Sequence, residues 1–121
     1  MSQKHETRCH ADICIAFELG GQQFEAVGFL KDEDYVAGSE AVRRVDNGHV
    51  VKTDEDWQLI YQNRQDLPPE LNNFWLATAR PRPVSPRFVS CLGRSDGGWH
   101  VNWGNLDYGW DRFGLVLRRR V

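Results

Sequence analysis

Large apolar residues alternate with Cys14, Ala16 and Glu18 near the start of the chain, from Ile13 to Leu19. An alternation of period two is typical of a strand that is buried on one face only. Two glycines, Gly20 and Gly21, follow and favour a tight turn, because glycine adopts positive φ angles without steric cost. A second apolar-rich stretch covers residues 22–30. The pattern therefore predicts an N-terminal β-hairpin.

Helical periodicity replaces this alternation in the middle of the chain. Ser39 can cap a short helix over residues 40–45, and an Asn-Gly turn signal follows it. Thr53 precedes three acidic residues, and this arrangement suits the free amides and the dipole of a helix start. Apolar residues follow at helical spacing from Trp57, until the prolines at positions 68 and 69 stop the pattern. We therefore predict two helices.

Short strands with loops between them are predicted for the rest of the chain. Four apolar or aromatic segments read as strands, at residues 74–78, 88–92, 99–103 and 113–119. Two segments between them read as loops, because prolines and arginines fill residues 80–87 and Gly, Asn and aromatic residues fill residues 105–110. Trp99, Val101 and Trp103 share one strand face, so we expect all three to be core or all three to be exposed.

The order of these elements predicts an α+β fold. We expect one domain over residues 1–121, with an antiparallel β-sheet made of the N-terminal hairpin and a C-terminal strand cluster. The two helices are expected to pack on one side of that sheet. Residues 1–10 are polar and are predicted to be flexible.

Composition places the chain among ordinary globular proteins. Hydrophobic residues make up 40% and charged residues 26%. No apolar run approaches the length of a membrane span, and the N-terminus has no apolar core of a signal peptide. The three cysteines are too few for a disulfide framework. We therefore expect a cytoplasmic protein that does not enter a membrane.

Charge is distributed unevenly along the sequence. Residues 1–60 carry six Lys/Arg against twelve Asp/Glu, whereas residues 61–121 carry nine Arg, no Lys and five Asp/Glu. Arginine is a planar cation that stacks on aromatic rings and binds anions in a bidentate manner. The Arg-rich C-terminal half is therefore a candidate recognition surface, opposed by an acidic N-terminal half. The alternative is that these arginines pack on tryptophan faces within the fold.

The C-terminal half resembles C-type-lectin-like domains, in the bacterial branch with formylglycine-generating-enzyme-like proteins and the variable proteins of diversity-generating retroelements. The segments that carry the resemblance are FWLAT at 74–78, WHVNW at 99–103, DYGWD at 107–111 and RFGLVLRR at 112–119. The resemblance implies a binding scaffold in which the terminal strands meet. Its oxidising members use two cysteines in this region, where this chain has only Cys91, and no acidic calcium-binding cluster is visible. Neither activity carries over.

Two groups of residues suggest chemistry. His5, Cys9, His10 and Cys14 have the side chains of a zinc site, but their spacing matches no standard zinc motif. Cys91 and His100 lie on neighbouring predicted strands and could form a nucleophile and its base, with Asp96 or Asp107 as the orienting carboxylate. A buried cysteine is more often a small core residue. We expect no metal, no cofactor and no catalytic residue.

The aromatic and arginine residues of the C-terminal half are the strongest candidates for function. Loop aromatics with Asn and Arg are typical of binding hot spots. The predicted binding residues are Arg80, Arg82, Arg87, Asn105, Tyr108, Trp110 and Arg112. We expect a non-enzymatic domain that binds a protein partner, which could be a second copy of itself. The alternative is a small phage or host-defence accessory protein that binds nucleic acid or a nucleoprotein complex.

Overall fold

A computed structural model of the chain describes residues 9–121. Residues 1–8 of the segment predicted to be flexible, including His5, lie outside the described residues. Cys9 and His10 are held in place, because the backbone N–H groups of Phe29 and Leu30 donate to His10 Nδ1 at 3.1 and 3.2 Å.

The described residues form eight strands and two α-helices. The strands are β1 (Cys14–Leu19), β2 (Gln22–Val27), β3 (Tyr35–Ala37), β4 (Trp75–Arg82), β5 (Ser85–Ser95), β6 (Gly98–Asn105), β7 (Gly109–Asp111) and β8 (Gly114–Arg119). The helices are α1 (Gly38–Val45) and α2 (Asp54–Gln62), and single 3-10 turns cover His10–Asp12, Arg64–Asp66 and Pro69–Leu71. No helix within residues 9–121 is long and apolar enough to cross a membrane.

Six of the strands form one sheet, and the predicted α+β class is confirmed. Their order is β1-β2-β8-β4-β5-β6, and β3 pairs with β7 in a separate two-stranded sheet. The N-terminal hairpin is joined to the last strand, because β2 pairs with β8 in antiparallel fashion. Strands β4 and β8 are parallel, so the sheet is mixed and not purely antiparallel as predicted. Strands β5, β6 and β7 lie between β4 and β8 in sequence, which makes the parallel pairing a long-range one.

The helices cover opposite faces of the large sheet, which corrects the expectation that both pack on one side. Successive residues of a strand point to opposite faces. On β4, Leu76 belongs to the cluster that holds Trp57 and Ile60 of α2, whereas Ala77 belongs to the cluster that holds Ala41 of α1. The sheet is therefore buried on both faces, and each face has its own core.

The proline-rich segment at residues 80–87 is part of a β-hairpin and not a loop. Strand β4 continues to Arg82 and β5 begins at Ser85, so only two residues separate them. Pro81 is paired with Val89, with register shifts on both sides. This is compatible with the missing N–H of proline, because β8 pairs with β4 only up to Ala77. The hairpin tip extends beyond the central sheet.

Trp99, Val101 and Trp103 differ in burial although they share a strand face. Trp99 is 2% exposed, whereas Val101 and Trp103 are each 39% exposed. Strand β6 is an edge strand, and the 3-10 turn at Arg64–Asp66 covers only its first part. The covering layer ends midway along the strand, so the expectation that these three residues behave alike was wrong.

The acidic and basic halves of the sequence neutralise each other in space. Arg80 binds Asp54 at 2.7 Å, and Arg119 binds Asp56 at 3.2 Å. Arg118 binds Glu25 at 2.7 Å and also donates to the Val45 carbonyl at 2.6 Å. Each of these three ion pairs joins an acid of the first sixty residues to an arginine of the second half. The charge asymmetry of the sequence is thus largely used within the fold.

Candidate binding site

A pair of tryptophans from distant parts of the chain lies at the base of the candidate site. Trp75 of β4 and Trp110 of β7 pack edge to face, with ring centroids 5.3 Å apart. Glycines make room for both rings. A Cβ atom at Gly38 would lie 2.4 Å from Trp110 Cε2, and one at Gly114 would lie 2.4 Å from Trp75 Cζ2. The two indoles are therefore fixed against backbone that carries no side chain.

A pocket of about 290 Å³ opens beside these rings, and residues of β5 and β6 form part of its lining. Gly104 forms part of its surface. A larger residue would not fit at this position, because a Cβ there would lie 2.8 Å from Cys91 Sγ and 3.2 Å from Trp110 Cζ2. The lining includes Trp75, Cys91, Asn102, Gly104, Tyr108 and Trp110. Its size is at the lower end for ligand pockets and fits one large side chain or one ring. We call it the aromatic pocket.

Asn102 supplies the main polar group of the aromatic pocket. Its carboxamide makes no hydrogen bond to any residue in the described part of the chain. It lies over Gly93, where a Cβ would approach Asn102 Nδ2 to 2.3 Å. Asn105 is already engaged, since its Oδ1 accepts the Asp107 N–H at 2.8 Å and its carbonyl accepts the Trp110 indole N–H at 3.1 Å. Asn102 can therefore both donate to and accept from a ligand.

Two of the predicted arginines contact Trp103, which lines the pocket, and Asp107, which precedes Tyr108 in sequence. The Arg82 guanidinium lies over the Trp103 ring, 5.1 Å from its centroid. Arg87 binds Asp107 through two nitrogens, and this contact holds the pKa of the Asp107 carboxyl below its usual value. The β4–β5 hairpin and the turn before β7 are thereby joined. The two segments predicted to make contacts do lie side by side.

The remaining predicted site residues occupy different environments. Tyr108 is exposed at 68% of its surface and lies at the mouth of the aromatic pocket. Trp110 is only 3% exposed, because residues 109–111 form β7 and pair with β3 instead of forming a loop. Arg80 is largely enclosed and donates to Asp54 Oδ1 at 2.7 Å and to Ser90 Oγ at 2.8 Å. Arg112 lies away from the pocket, over the ring of Phe113.

Sequence reasoning missed Trp75, Asn102 and Gly104 as parts of the site. Trp75 and Asn102 were assigned to strands without a role, since a strand pattern does not show where the covering layer ends. Gly104 carried a usable signal, because a glycine within a strand often marks a close approach of a ligand or another group.

Cys91 and His100 do not form a catalytic pair. Their strands are adjacent as predicted, but Cys91 is opposite Asn102 and His100 is opposite Gly93. The His100 ring contacts the Ser95 carbonyl at 3.1 Å. Burial raises the pKa of the Cys91 thiol to about 12, so this sulfur stays protonated at neutral pH.

We expect Cys91 to be inert toward thiol reagents in the folded protein. Reaction with a chromogenic disulfide at pH 8 should label Cys14, which is exposed, and leave Cys91 unmodified until denaturant is added. Cys91→Ser should leave the count of fast-reacting thiols unchanged, whereas Cys14→Ser should lower it by one. Fast labelling that disappears in Cys91→Ser would contradict this assignment.

The described members of the N-terminal Cys/His group do not converge. Cys9 Sγ donates to the Leu30 carbonyl at 3.2 Å, and Cys14 Sγ lies 3.5 Å from the Glu25 carboxylate on another part of the sheet. His10 uses Nδ1 to accept the two backbone amides described above, and burial lowers its pKa. Residues 9–121 contain no group of three or more Cys, His, Asp or Glu side chains that could hold a metal ion.

Comparison of the chain with protein families, with curated proteins and with solved structures finds no match.

Proposed function

We propose that this chain is a non-enzymatic interaction domain that binds a protein partner at the aromatic pocket and its rim. The observation that carries the proposal is a solvent-open pocket between Trp75, Tyr108 and Trp110, with the carboxamide of Asn102 left without a partner in the described chain. Apolar walls with a few polar groups are the usual composition of a recognition pocket. A large side chain of the partner would bury its apolar part against the rings and bind Asn102.

The rim favours a protein as the partner. Tyr108 and Trp103 remain partly exposed; Arg82 lies over the Trp103 ring, and Arg87 binds Asp107, the residue before Tyr108. Tyr, Trp and Arg are the residue types that most often dominate binding energy at protein interfaces, where neighbouring contacts exclude water. The Arg87–Asp107 pair fixes the rim before binding, so less conformational entropy is lost on association.

The proposal includes a C-type-lectin-like core. In such domains the terminal strands meet, and here β2 of the N-terminal hairpin pairs with β8. The two helices lie between that hairpin and the C-terminal strands in sequence. These features support the resemblance that the C-terminal segments suggested.

Nucleic-acid binding has less support than protein binding. A phosphate-binding surface needs arginines that are free to neutralise the backbone. Arg80, Arg87, Arg118 and Arg119 are instead paired with carboxylates of the same chain. The arrangement favours a neutral, aromatic contact surface.

Tyr108→Ala and Asn102→Ala should each weaken partner binding without unfolding the chain. Loss of a hot-spot side chain costs about 2 kcal/mol, which corresponds to about thirtyfold in Kd. Phe113→Ala is the matched control, because Phe113 is an exposed aromatic residue that does not line the aromatic pocket. Proteins captured from cell extract by the wild type and by Phe113→Ala, but not by the two pocket variants, would support the proposal. Equal capture by all four would contradict it.

A further inference from the structure

Strand β6 is an edge of the large sheet, and the strand itself contains no charged residue, proline or bulge. Its eight residues, Gly98–Asn105, have the sequence GWHVNWGN, with no charged residue and no proline. Proteins usually protect such edges with charges, prolines or bulges, because an unpaired strand edge binds another strand. The opposite edge, β1, is shorter and carries Glu18, which accepts a hydrogen bond from Gln23.

The hairpin register determines which backbone groups of β6 point outward. Asp96 and Gly97 both have positive φ angles and form a two-residue turn between Ser95 and Gly98, which are paired. The two residues that flank such a turn form a hydrogen-bonded pair. From there, hydrogen-bonded pairs and pairs without hydrogen bonds alternate along the two strands. The N–H and C=O groups of Trp99, Val101, Trp103 and Asn105 therefore point away from β5.

Only the middle of this edge is available for pairing. The Trp99 carbonyl accepts the Arg64 Nε–H at 3.0 Å, and the Asn105 carbonyl accepts the Trp110 indole N–H. These two contacts agree with the outward direction deduced from the register. Val101 and Trp103 keep both backbone groups unbonded within the described chain, and both side chains are partly exposed.

We propose that two copies of this chain pair through β6 in antiparallel orientation, with the twofold axis at Asn102. Val101 of each copy then stands opposite Trp103 of the other. Each copy contributes the N–H and the carbonyl group of Val101 and of Trp103. These groups form four hydrogen bonds between the two copies. The set of free groups is self-complementary, as a twofold interface requires.

The side chains at this edge fit a second copy. Val101 beside Trp103 is a β-branched and aromatic cross-strand pair, which stabilises neighbouring strands. The residues of β6 include no Asp, Glu, Lys or Arg, so the paired strands place no like charges opposite each other. This pairing goes beyond the proposed function, since it uses the strand edge and leaves the walls of each aromatic pocket in place.

Sedimentation velocity over a hundredfold range of concentration tests the pairing. The wild type should shift from monomer to twice the monomer mass as concentration rises. Val101→Pro should weaken this association at least tenfold, because proline removes an outward N–H while the hydrogen bonds to β5 remain. Ala16→Pro is the matched control, since the register of β1 with β2 also directs the Ala16 N–H outward. It should associate as the wild type does.

Three outcomes would overturn the proposal. These are a wild type that stays monomeric at the highest concentration, a folded Val101→Pro that associates like the wild type, and an association lost in Ala16→Pro instead. Circular dichroism establishes that each variant is folded. If Val101→Pro unfolds, Val101→Lys replaces it, because an edge lysine blocks strand pairing without changing the backbone. The same tenfold loss is then expected.

Discussion

Trp110→Ala should destabilise the protein by about 3–5 kcal/mol, the usual range for removing a large aromatic side chain from a core. Trp110 is 3% exposed and packs against Trp75 and Phe29, with ring centroids 5.3 and 6.3 Å away. Its removal leaves a cavity above Gly38 that backbone cannot fill. It also removes the indole donor from the Asn105 carbonyl. Urea unfolding followed by circular dichroism would measure the change.

Tyr108→Ala is the matched control for this loss, because Tyr108 is two residues away in the same segment. Its ring is exposed, and surface substitutions of this kind change stability by roughly 0.5 kcal/mol or less. The two residues were predicted to act together as loop aromatics, and the structure separates them. A stability loss in Trp110→Ala no larger than that in Tyr108→Ala would show that Trp110 is not part of the core.

Gly38→Ala should destabilise the protein by about 1–3 kcal/mol, although alanine favours helices and Gly38 lies in the first turn of α1. A Cβ at this position would lie 2.4, 2.6 and 2.8 Å from three atoms of the Trp110 indole. That ring is held between Trp75, Phe29 and the backbone of β6, so it cannot move aside without disturbing the pocket wall.

Gly98→Ala provides the comparison for this substitution. Its Cβ would meet no atom closer than 3.6 Å, and its φ angle is not in the left-handed region. Alanine there should leave stability unchanged or raise it by up to about 1 kcal/mol, since it lowers the entropy of the unfolded chain. Equal effects of Gly38→Ala and Gly98→Ala on the urea midpoint would contradict the close packing of Trp110 on α1.

Local patterns were sufficient to predict most elements of this fold. The alternation from Ile13 to Leu19 and the glycine pair after it correspond to β1 and its turn. Thr53 accepts the Asp56 N–H at 3.2 Å, as expected for the first residue of a helix. Ser39 does not cap α1, because the helix begins at Gly38, two residues before the predicted start at residue 40. Patterns of this kind depend on neighbours in sequence, so they need no knowledge of the tertiary structure.

The environment of the site could not be predicted in the same way. Trp110 is buried because α1 and β3 pack on its strand, and β3 and β7 are only three residues long. Strands of this length carry no periodicity that could be recognised. Trp103 is exposed because the covering layer stops along β6, which depends on contacts between residues that are far apart in the chain.

The charge pattern shows the same limit. The excess of arginine in the second half suggested a positive surface, but Arg80, Arg118 and Arg119 bind acids of the first half. The sequence gives the numbers of acidic and basic residues in each half of the chain. Only the fold determines which of them form ion pairs. What remains for recognition is a small aromatic region beside an uncharged strand edge.

The central claim is that the aromatic pocket is the contact surface for a protein partner. An amide NMR titration of the labelled chain with the protein that it captures tests this most directly. We predict that the largest shifts occur at Asn102, Gly104, Tyr108 and Gly109, with little change along β1 and α2. Shifts concentrated on β1 or α2, with the pocket amides unmoved, would contradict the claim.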